Sequence, residues 1–174
     1  PGFRIGSRQG DRNRIKKATG HEPQPNEIND AATPTPTSEF WIARYPVTVA
    51  QFRAFVEAQD NAGFALGDAD ALRDPDTRPV RWVGWQEACD YAAWLQTSPV
   101  FDSHPIAAQV REYGCVVALP SERQWEKAAR GGLDRAVFPW GDVSDPERSN
   151  VVDTGIADTS PVGAFPANGL GLHD

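Results

Sequence analysis

The chain has 174 residues, a net charge of −7 and 40% hydrophobic residues, and it includes six Trp and eight Phe. A chain of this size and composition has enough apolar surface to bury a core, which excludes a wholly disordered protein. No stretch approaches the ~18 apolar residues that a membrane span needs, and no leader-like pattern is present. We therefore expect a cytoplasmic protein with no membrane contact.

The charge is unevenly distributed along the chain. The first twenty residues carry six basic groups, which are Arg4, Arg8, Arg12, Arg14, Lys16 and Lys17. The rest of the chain is acidic and should repel nucleic acid, whose binding depends mainly on neutralised phosphates. The sequence therefore predicts no nucleic-acid partner, and the basic segment is predicted to be a solvated loop.

A long loop is predicted over residues 8–38, whose second part, residues 20–38, is rich in Pro, Thr and Asn and lacks an apolar period. The aromatic run 40–45 predicts a strand. Thr48 and Gln51 then have the spacing of a capping box, which predicts a helix start. Phe52 and Phe55 follow on one helical face.

The middle of the chain predicts an acidic, Gly-rich loop over 57–79 and a second helix over 85–95, with Tyr91 and Leu95 on its apolar face. Residues 96–112 are predicted to be an insertion with one short helix after Pro105. A third helix is predicted from Ser121, whose capping partner is Gln124, to Gly131. We expect Trp125, Ala128 and Ala129 to form its buried stripe.

Cys and His do not form a recognisable catalytic or metal-binding pattern. The two cysteines, Cys89 and Cys115, are too few for a disulfide framework, and small buried thiols are the favoured interpretation, ahead of a bridge or a reactive pair. His21 and His104 lie in Pro-rich segments and should be exposed loop residues. Hydrolase, nucleotide-binding and zinc-protease motifs are absent, and no catalytic residue is predicted.

The last segment, residues 138–174, predicts irregular loop with six acidic groups against one Arg. Within it, residues 150–158 alternate Asn, Asp and Gly with apolar residues, which could supply the hard oxygens that Ca²⁺ prefers. The same composition is typical of a metal-free Asx turn. The residues themselves leave both interpretations open.

Several blocks of sequence together resemble the formylglycine-generating enzyme, or sulfatase-modifying factor, family. The blocks are residues 3–7, 40–48, 119–132, 138–142, 161–163 and 168–172, with Pro79, Val80, Trp85, Ala88, Tyr91 and Trp94 between them. The resemblance implies an α+β, C-type-lectin-like fold with few helices, short twisted strands and extensive irregular loops. It covers residues 1–174 as one domain, and the family motifs that would complete its last third are expected after Asp174, in the same or another chain.

Two functions are compatible with this resemblance, because the family contains both enzymes and non-catalytic members. The first is a calcium-stabilised scaffold that binds an unknown protein or small-molecule ligand, such as the variable proteins of diversity-generating retroelements. The alternative is the conserved part of a formylglycine-generating or sulfoxide-synthase-type oxidoreductase. Copper or iron would then be required, and the catalytic residues would lie beyond Asp174.

The resemblance also implies a structural Ca²⁺ in the loop that starts at Asn150. By position, Asn150 would give its side-chain oxygen, and Val151 and Ile156 would give backbone carbonyls. Asp153 is the expected carboxylate ligand, and Thr154 is the alternative for its place. An ion would also offset the repulsion between the acidic groups of this segment.

Overall fold

The computed structural model describes residue 7 and residues 9–25, 38–59 and 64–174. Its α-helices are α1 (Arg12–Thr19), α2 (Val49–Gln59), α3 (Trp85–Thr97), α4 (Pro99–Asp102), α5 (Ile106–Glu112) and α6 (Glu122–Ala129). Short 3₁₀ turns cover Gln9–Asp11, Ala69–Leu72 and Val152–Thr154. The chain divides into two compact units, a terminal unit of residues 1–45 and 120–174 and a middle unit of residues 46–119.

The predicted capping box at the start of α2 is confirmed. The Thr48 backbone N–H donates to Gln51 Oε1 at 2.9 Å, and the Gln51 N–H donates to Thr48 Oγ1 at 3.3 Å. Because these reciprocal bonds satisfy backbone donors that the first turn leaves unpaired, the local sequence alone specifies where the helix begins.

Helix α3 is also confirmed, although its N-cap residue, Gly84, has no side chain. The Glu87 carboxylate accepts hydrogen bonds from the backbone N–H groups of Gly84, at 2.7 Å, and Gly67, at 2.9 Å. One side chain therefore caps the helix and fixes the preceding loop to it, which replaces the missing N-cap side chain.

The core of the middle unit is aromatic. Phe52, Phe55 and Tyr91 are buried where α2 packs on α3, and the ring centroids of Phe55 and Tyr91 lie 5.9 Å apart in an edge-to-face arrangement. The Trp94 ring also contacts Phe55, at a centroid distance of 5.6 Å. Such pairs are favourable beyond their buried area. Burial raises the pKa of the Tyr91 hydroxyl.

The predicted insertion, residues 96–112, is more helical than expected. It forms two helices, α4 and α5, instead of one, and Ser98 caps α4 by accepting a bond from the Phe101 N–H at 3.2 Å. Phe101, Ala107 and Val110 form a second buried cluster. The sequence pattern predicted one helix too few here because α4 and α5 are each too short to show a full apolar period.

Helix α6 has the predicted ends. The Ser121 N–H donates to Gln124 Oε1 at 2.8 Å, and Gly131 follows the helix with a φ of 58°. The buried face was predicted incorrectly, however: Ala128 is buried and Ala129 is half-buried, but Trp125 is exposed. The buried side centres on Ala128 with Gln124 and Gly131 one turn away, and Trp125 lies about 60° around the helix from Ala128.

The remainder of the terminal unit is organised by one amide side chain. Asn168 Nδ2 donates to the Ala128 carbonyl at 2.8 Å. Its Oδ1 accepts from the N–H groups of Leu170, at 2.9 Å, and Leu172, at 3.2 Å. Asn168 therefore ties the end of α6 to the loop 168–172.

Part of the basic segment is helical, which corrects the prediction of a loop over residues 8–38. Gly20 ends α1 with an N–H bond to the Lys16 carbonyl at 2.9 Å. Arg14 pairs with Asp142 and donates to the Arg135 carbonyl at 3.0 Å. These contacts stabilise a helix with few apolar residues, so periodicity could not reveal it. Residues 26–37 of the predicted loop lie outside the described residues.

The predicted strand over 40–45 is not observed. These residues are irregular, with a bend at Arg44 and Tyr45, and Trp41 and Ile42 are exposed. In the described ranges, the β-pairing consists of isolated bridges, such as Thr48 with Pro79 and Phe138 with Gly141. The expected short helices and irregular loops are present, whereas the α+β class and the single-domain assignment remain predictions.

Candidate functional site

The loop that was predicted to bind calcium is organised around Asn150. Its side-chain Nδ2 donates to the Asp158 carbonyl at 2.7 Å and approaches Ser160 Oγ at 3.3 Å. A 3₁₀ turn over Val152–Thr154 follows, and Gly155 leaves it with a left-handed backbone. Because Nδ2 is occupied, the Asn150 side-chain oxygen faces the turn.

Three hard oxygens come together inside this turn. The Thr154 hydroxyl donates a hydrogen bond to the Val151 carbonyl oxygen at 2.6 Å and a longer one to Asn150 Oδ1 at 3.4 Å. An amide oxygen, a backbone carbonyl and a hydroxyl are the ligand types that Ca²⁺ accepts, and Ca²⁺ takes roughly six to eight oxygens in a flexible arrangement. The residues present therefore fit part of a calcium site.

The structure brings together only some of the predicted ligands. Asn150 and Val151 share the cluster, and Thr154 occupies the place offered as the alternative to Asp153. Asp153 and Ile156 belong to the same loop, but neither contributes an oxygen to the cluster among the hydrogen bonds described for residues 138–174. In the parts of the chain that the structure describes, no three residues among His, Cys, Asp and Glu lie close enough together to hold a metal ion.

The exposure of His21 and His104 was predicted correctly, whereas that of the cysteines was not. Cys89 and Cys115 are free thiols, but they are half-exposed and not buried. His21 and His104 are exposed, as predicted. His173 stacks on the Tyr45 ring at a centroid distance of 4.8 Å, a contact between distant parts of the sequence that spacing could not reveal.

Exposed tryptophans are the other feature of functional interest. The exposed fractions are 49% for Trp41, 58% for Trp82, 73% for Trp85 and 62% for Trp125. Trp41 and Trp125 belong to the terminal unit, and Trp82 and Trp85 belong to the middle unit. Their exposure could not be predicted from composition, because the number of Trp residues does not say which of them are buried.

Trp82 has a second unusual property, a positive backbone φ of 62°. A bulky residue is disfavoured in this conformation by roughly 1–2 kcal/mol. The Arg81 guanidinium lies 5.8 Å from the Trp82 ring centroid. Asp74 holds that guanidinium in turn, with oxygens 2.6 and 3.1 Å from two of its nitrogens. The strained backbone thus presents a fixed ring at the surface.

Among the residues with described positions, none of the helices combines the length and the apolar character needed to cross a bilayer.

Comparison with known proteins agrees with the sequence resemblance. Residues 6–174 match the model of the sulfatase-modifying factor enzyme 1-like domain. The chain is 32% identical to a formylglycine-generating enzyme of Thermomonospora curvata, over 80% of this chain and 42% of that protein. It is 31% identical to a formylglycine-generating enzyme of Mycobacterium tuberculosis, over 78% of this chain and 60% of that protein.

A relative described as inactive shows similar identity. The chain is 33% identical to the inactive C-alpha-formylglycine-generating enzyme 2 of Bos taurus, over 62% of this chain and 33% of that protein. The chain thus spans less than two thirds of each of these three relatives. Because the family model covers nearly all of its residues, the chain belongs to the sulfatase-modifying factor enzyme 1-like domain family.

Proposed function

We propose that this chain is a non-catalytic, ligand-binding member of its family, built on a C-type-lectin-like scaffold. The observation that carries the proposal is the exposure of Trp41, Trp82, Trp85 and Trp125. Leaving such large apolar side chains in water forgoes the free energy of burying them. Trp is also enriched among the residues that dominate binding energy in protein interfaces. Exposed Trp on both units is therefore well suited to contacting a ligand.

The middle unit offers the better-defined contact residues. Trp82 is held in a strained conformation beside a fixed guanidinium, and strained residues tend to occur where function requires them. Trp85 begins α3, so its backbone is fixed by the helix start. Rings with a fixed position lose little conformational entropy on binding, which favours affinity.

The enzyme function remains the second candidate, because relatives at 31–32% identity are named formylglycine-generating enzymes. In that case the chain would be part of a copper- or iron-dependent oxidoreductase. Cys89 and Cys115 would not be expected to serve as its metal-binding pair, since each is a free thiol on a different element of the middle unit.

We predict that this 174-residue chain does not convert the Cys of a sulfatase-type peptide to formylglycine, with or without added copper. A soft metal such as copper would need converging thiolates, which this chain is not expected to supply. Mass spectrometry of the peptide measures the result directly. Formation of the aldehyde in the presence of the purified chain would support the enzyme function instead.

A binding experiment tests the favoured function. Peptides selected on the immobilised chain from a random library should lose at least about tenfold in affinity for the Trp82→Ala/Trp85→Ala variant, equivalent to ~1.4 kcal/mol. Val100→Ala changes an exposed aliphatic side chain of the same unit and should leave affinity unchanged. Selected peptides that bind both variants and the parent equally would contradict a binding role for these rings.

We also propose that a structural Ca²⁺ is bound by Asn150, Val151 and Thr154. The support is the convergence of their oxygens in a loop rich in acidic residues. A bound cation would offset the repulsion among those carboxylates and the entropy cost of ordering the loop. Asp153 is close enough in sequence to add a carboxylate when the ion is present.

Removal of calcium should therefore lower the melting temperature. At free Ca²⁺ about 100 times its Kd the ion contributes ~2.7 kcal/mol, or roughly 5–10 °C for a chain of this size. Asn150→Ala should abolish the difference between Ca²⁺ and EDTA. Ser160→Ala, which removes a neighbour of Asn150 but no proposed ligand, should keep it. Identical melting of the parent chain in Ca²⁺ and in EDTA would leave the loop as an Asx turn.

A further inference from the structure

A cavity of about 450 Å³ lies in the middle unit, beside the end of α3 and between α4, α5 and the segment that follows α5. Its volume is within the roughly 300–1,000 Å³ of small-molecule sites. The residues that line it include none of the exposed tryptophans and no residue of the loop 150–158, so neither proposed function accounts for it.

The walls of the cavity are mainly apolar. Phe101 and Val110 line it and also belong to the second buried cluster, which fixes their positions. Val116, which is exposed, forms part of the opening. Because Phe101 and Val110 are already packed in a core, a ligand that contacts them does not have to order their side chains, which lowers the conformational cost of binding.

One charged group lines the cavity. Arg111 contributes to the lining and pairs with Asp102 at the surface, where both side chains are more than half exposed. Exposed ion pairs contribute only about 0–1 kcal/mol, so another anion can displace Asp102 at little cost. A guanidinium presents parallel N–H donors that match a carboxylate or a phosphate.

We propose that this cavity binds a small monocarboxylate with an aromatic or branched-alkyl body. The apolar body packs on Phe101 and Val110, and the carboxylate takes the place of Asp102 on Arg111. The lining combines apolar side chains, the neutral polar side chains of Gln96 and Thr97 and a single cationic group, Arg111, which favours one negative charge attached to a compact apolar group.

Two cysteines make the site easy to monitor. Cys115 lines the cavity and is half-exposed, whereas Cys89 is equally half-exposed but is not among the lining residues. A ligand in the cavity should therefore shield the Cys115 thiol from alkylation and leave Cys89 unaffected. The two sites are distinguished by mass spectrometry of their peptides, so each sample contains its own control.

The test uses the full chain, iodoacetamide and two matched probes, naphthalene-2-carboxylate and its uncharged carboxamide. The carboxylate should slow alkylation of Cys115 at least about fivefold at saturation, as expected when a bound ligand covers most of a pocket's surface. Arg111→Gln should raise the half-protecting concentration about tenfold, equivalent to ~1.4 kcal/mol. Asp102→Asn, which removes the competing carboxylate, should lower it.

Three results would overturn the proposal. Failure of the carboxylate to protect Cys115 at millimolar concentration would show that the cavity does not bind this class. Equal slowing at Cys115 and Cys89 would show non-specific association. Equal protection by the carboxamide and the carboxylate, unaffected by Arg111→Gln, would show that the cavity takes apolar molecules without recognising an anion. Both substituted side chains are exposed, and a melting curve for each variant checks that it is folded.

Discussion

Phe55→Ala is expected to lower the free energy of unfolding by about 3–5 kcal/mol, the range found when a large aromatic side chain is removed from a packed interior. Phe55 is only 1% exposed, and its ring contacts those of Phe52, Phe64, Tyr91 and Trp94. The substitution leaves a cavity bordered by four rings, three of which are carried by α2 and α3, so the surroundings cannot easily close around it.

The matched control is Trp85→Ala, which removes a larger aromatic side chain from the same unit. Because Trp85 is 73% exposed, its loss should cost less than about 1 kcal/mol, as for most surface substitutions. Urea titration of both variants measures the difference, with an unchanged slope as evidence that each still unfolds in the same manner. Equal losses for the two variants would contradict the assignment of the aromatic core.

Gly131→Ala is expected to destabilise the terminal unit strongly. A Cβ added at Gly131 would lie 2.9 Å from the Gly169 nitrogen, 3.0 Å from Asn168 Cβ and 3.0 Å from the Pro139 carbonyl oxygen. Two of these atoms belong to backbone and cannot rotate away. The residue also has a φ of 58°, where any L side chain adds roughly 1–2 kcal/mol of strain.

Overpacking adds about 1–3 kcal/mol to that strain, so the total loss should reach roughly 2–5 kcal/mol. Gly132→Ala separates the two effects, since Gly132 has a φ of 88° but its added Cβ would meet only Leu170 Cδ2 at 3.9 Å. That variant should lose only the contribution from strain. Thermal melts of both variants make the comparison. If the two melting temperatures fall equally, the close approach of residues 131 and 169 is not important for stability.

Sequence reasoning located the ends of the capped helices correctly, because capping is a local interaction. Thr48 with Gln51 and Ser121 with Gln124 are each three residues apart, and their bonds form wherever the helix forms. Asn150, Val151 and Thr154 also share one turn, so their oxygens could be expected to lie close together. Whether Asp153 or Thr154 faces that turn depends on its backbone conformation, which the composition does not specify.

The family assignment could also be made from sequence, since ordered motifs over most of the chain do not depend on which side chains are buried. The tertiary structure decided what each motif residue contacts. Trp125 was predicted to be buried because it shares an apolar stripe with Ala128 and Ala129, yet the buried side of α6 is set by the Asn168 loop and by Gly131. Periodicity describes one helix, whereas burial depends on what packs against it.

The sequence by itself therefore determined the family, the helix starts that are capped by residues three positions apart, and the oxygen-rich turn at Asn150. Only the tertiary structure decided that residues 96–112 form a second cluster around Phe101, that part of the basic segment is helical and that four tryptophans face solvent. The physical reason is the range of the interactions. Caps and turns close within about four residues, whereas the contacts of Arg14 with Asp142 and of Asn168 with Ala128 join residues far apart in the chain.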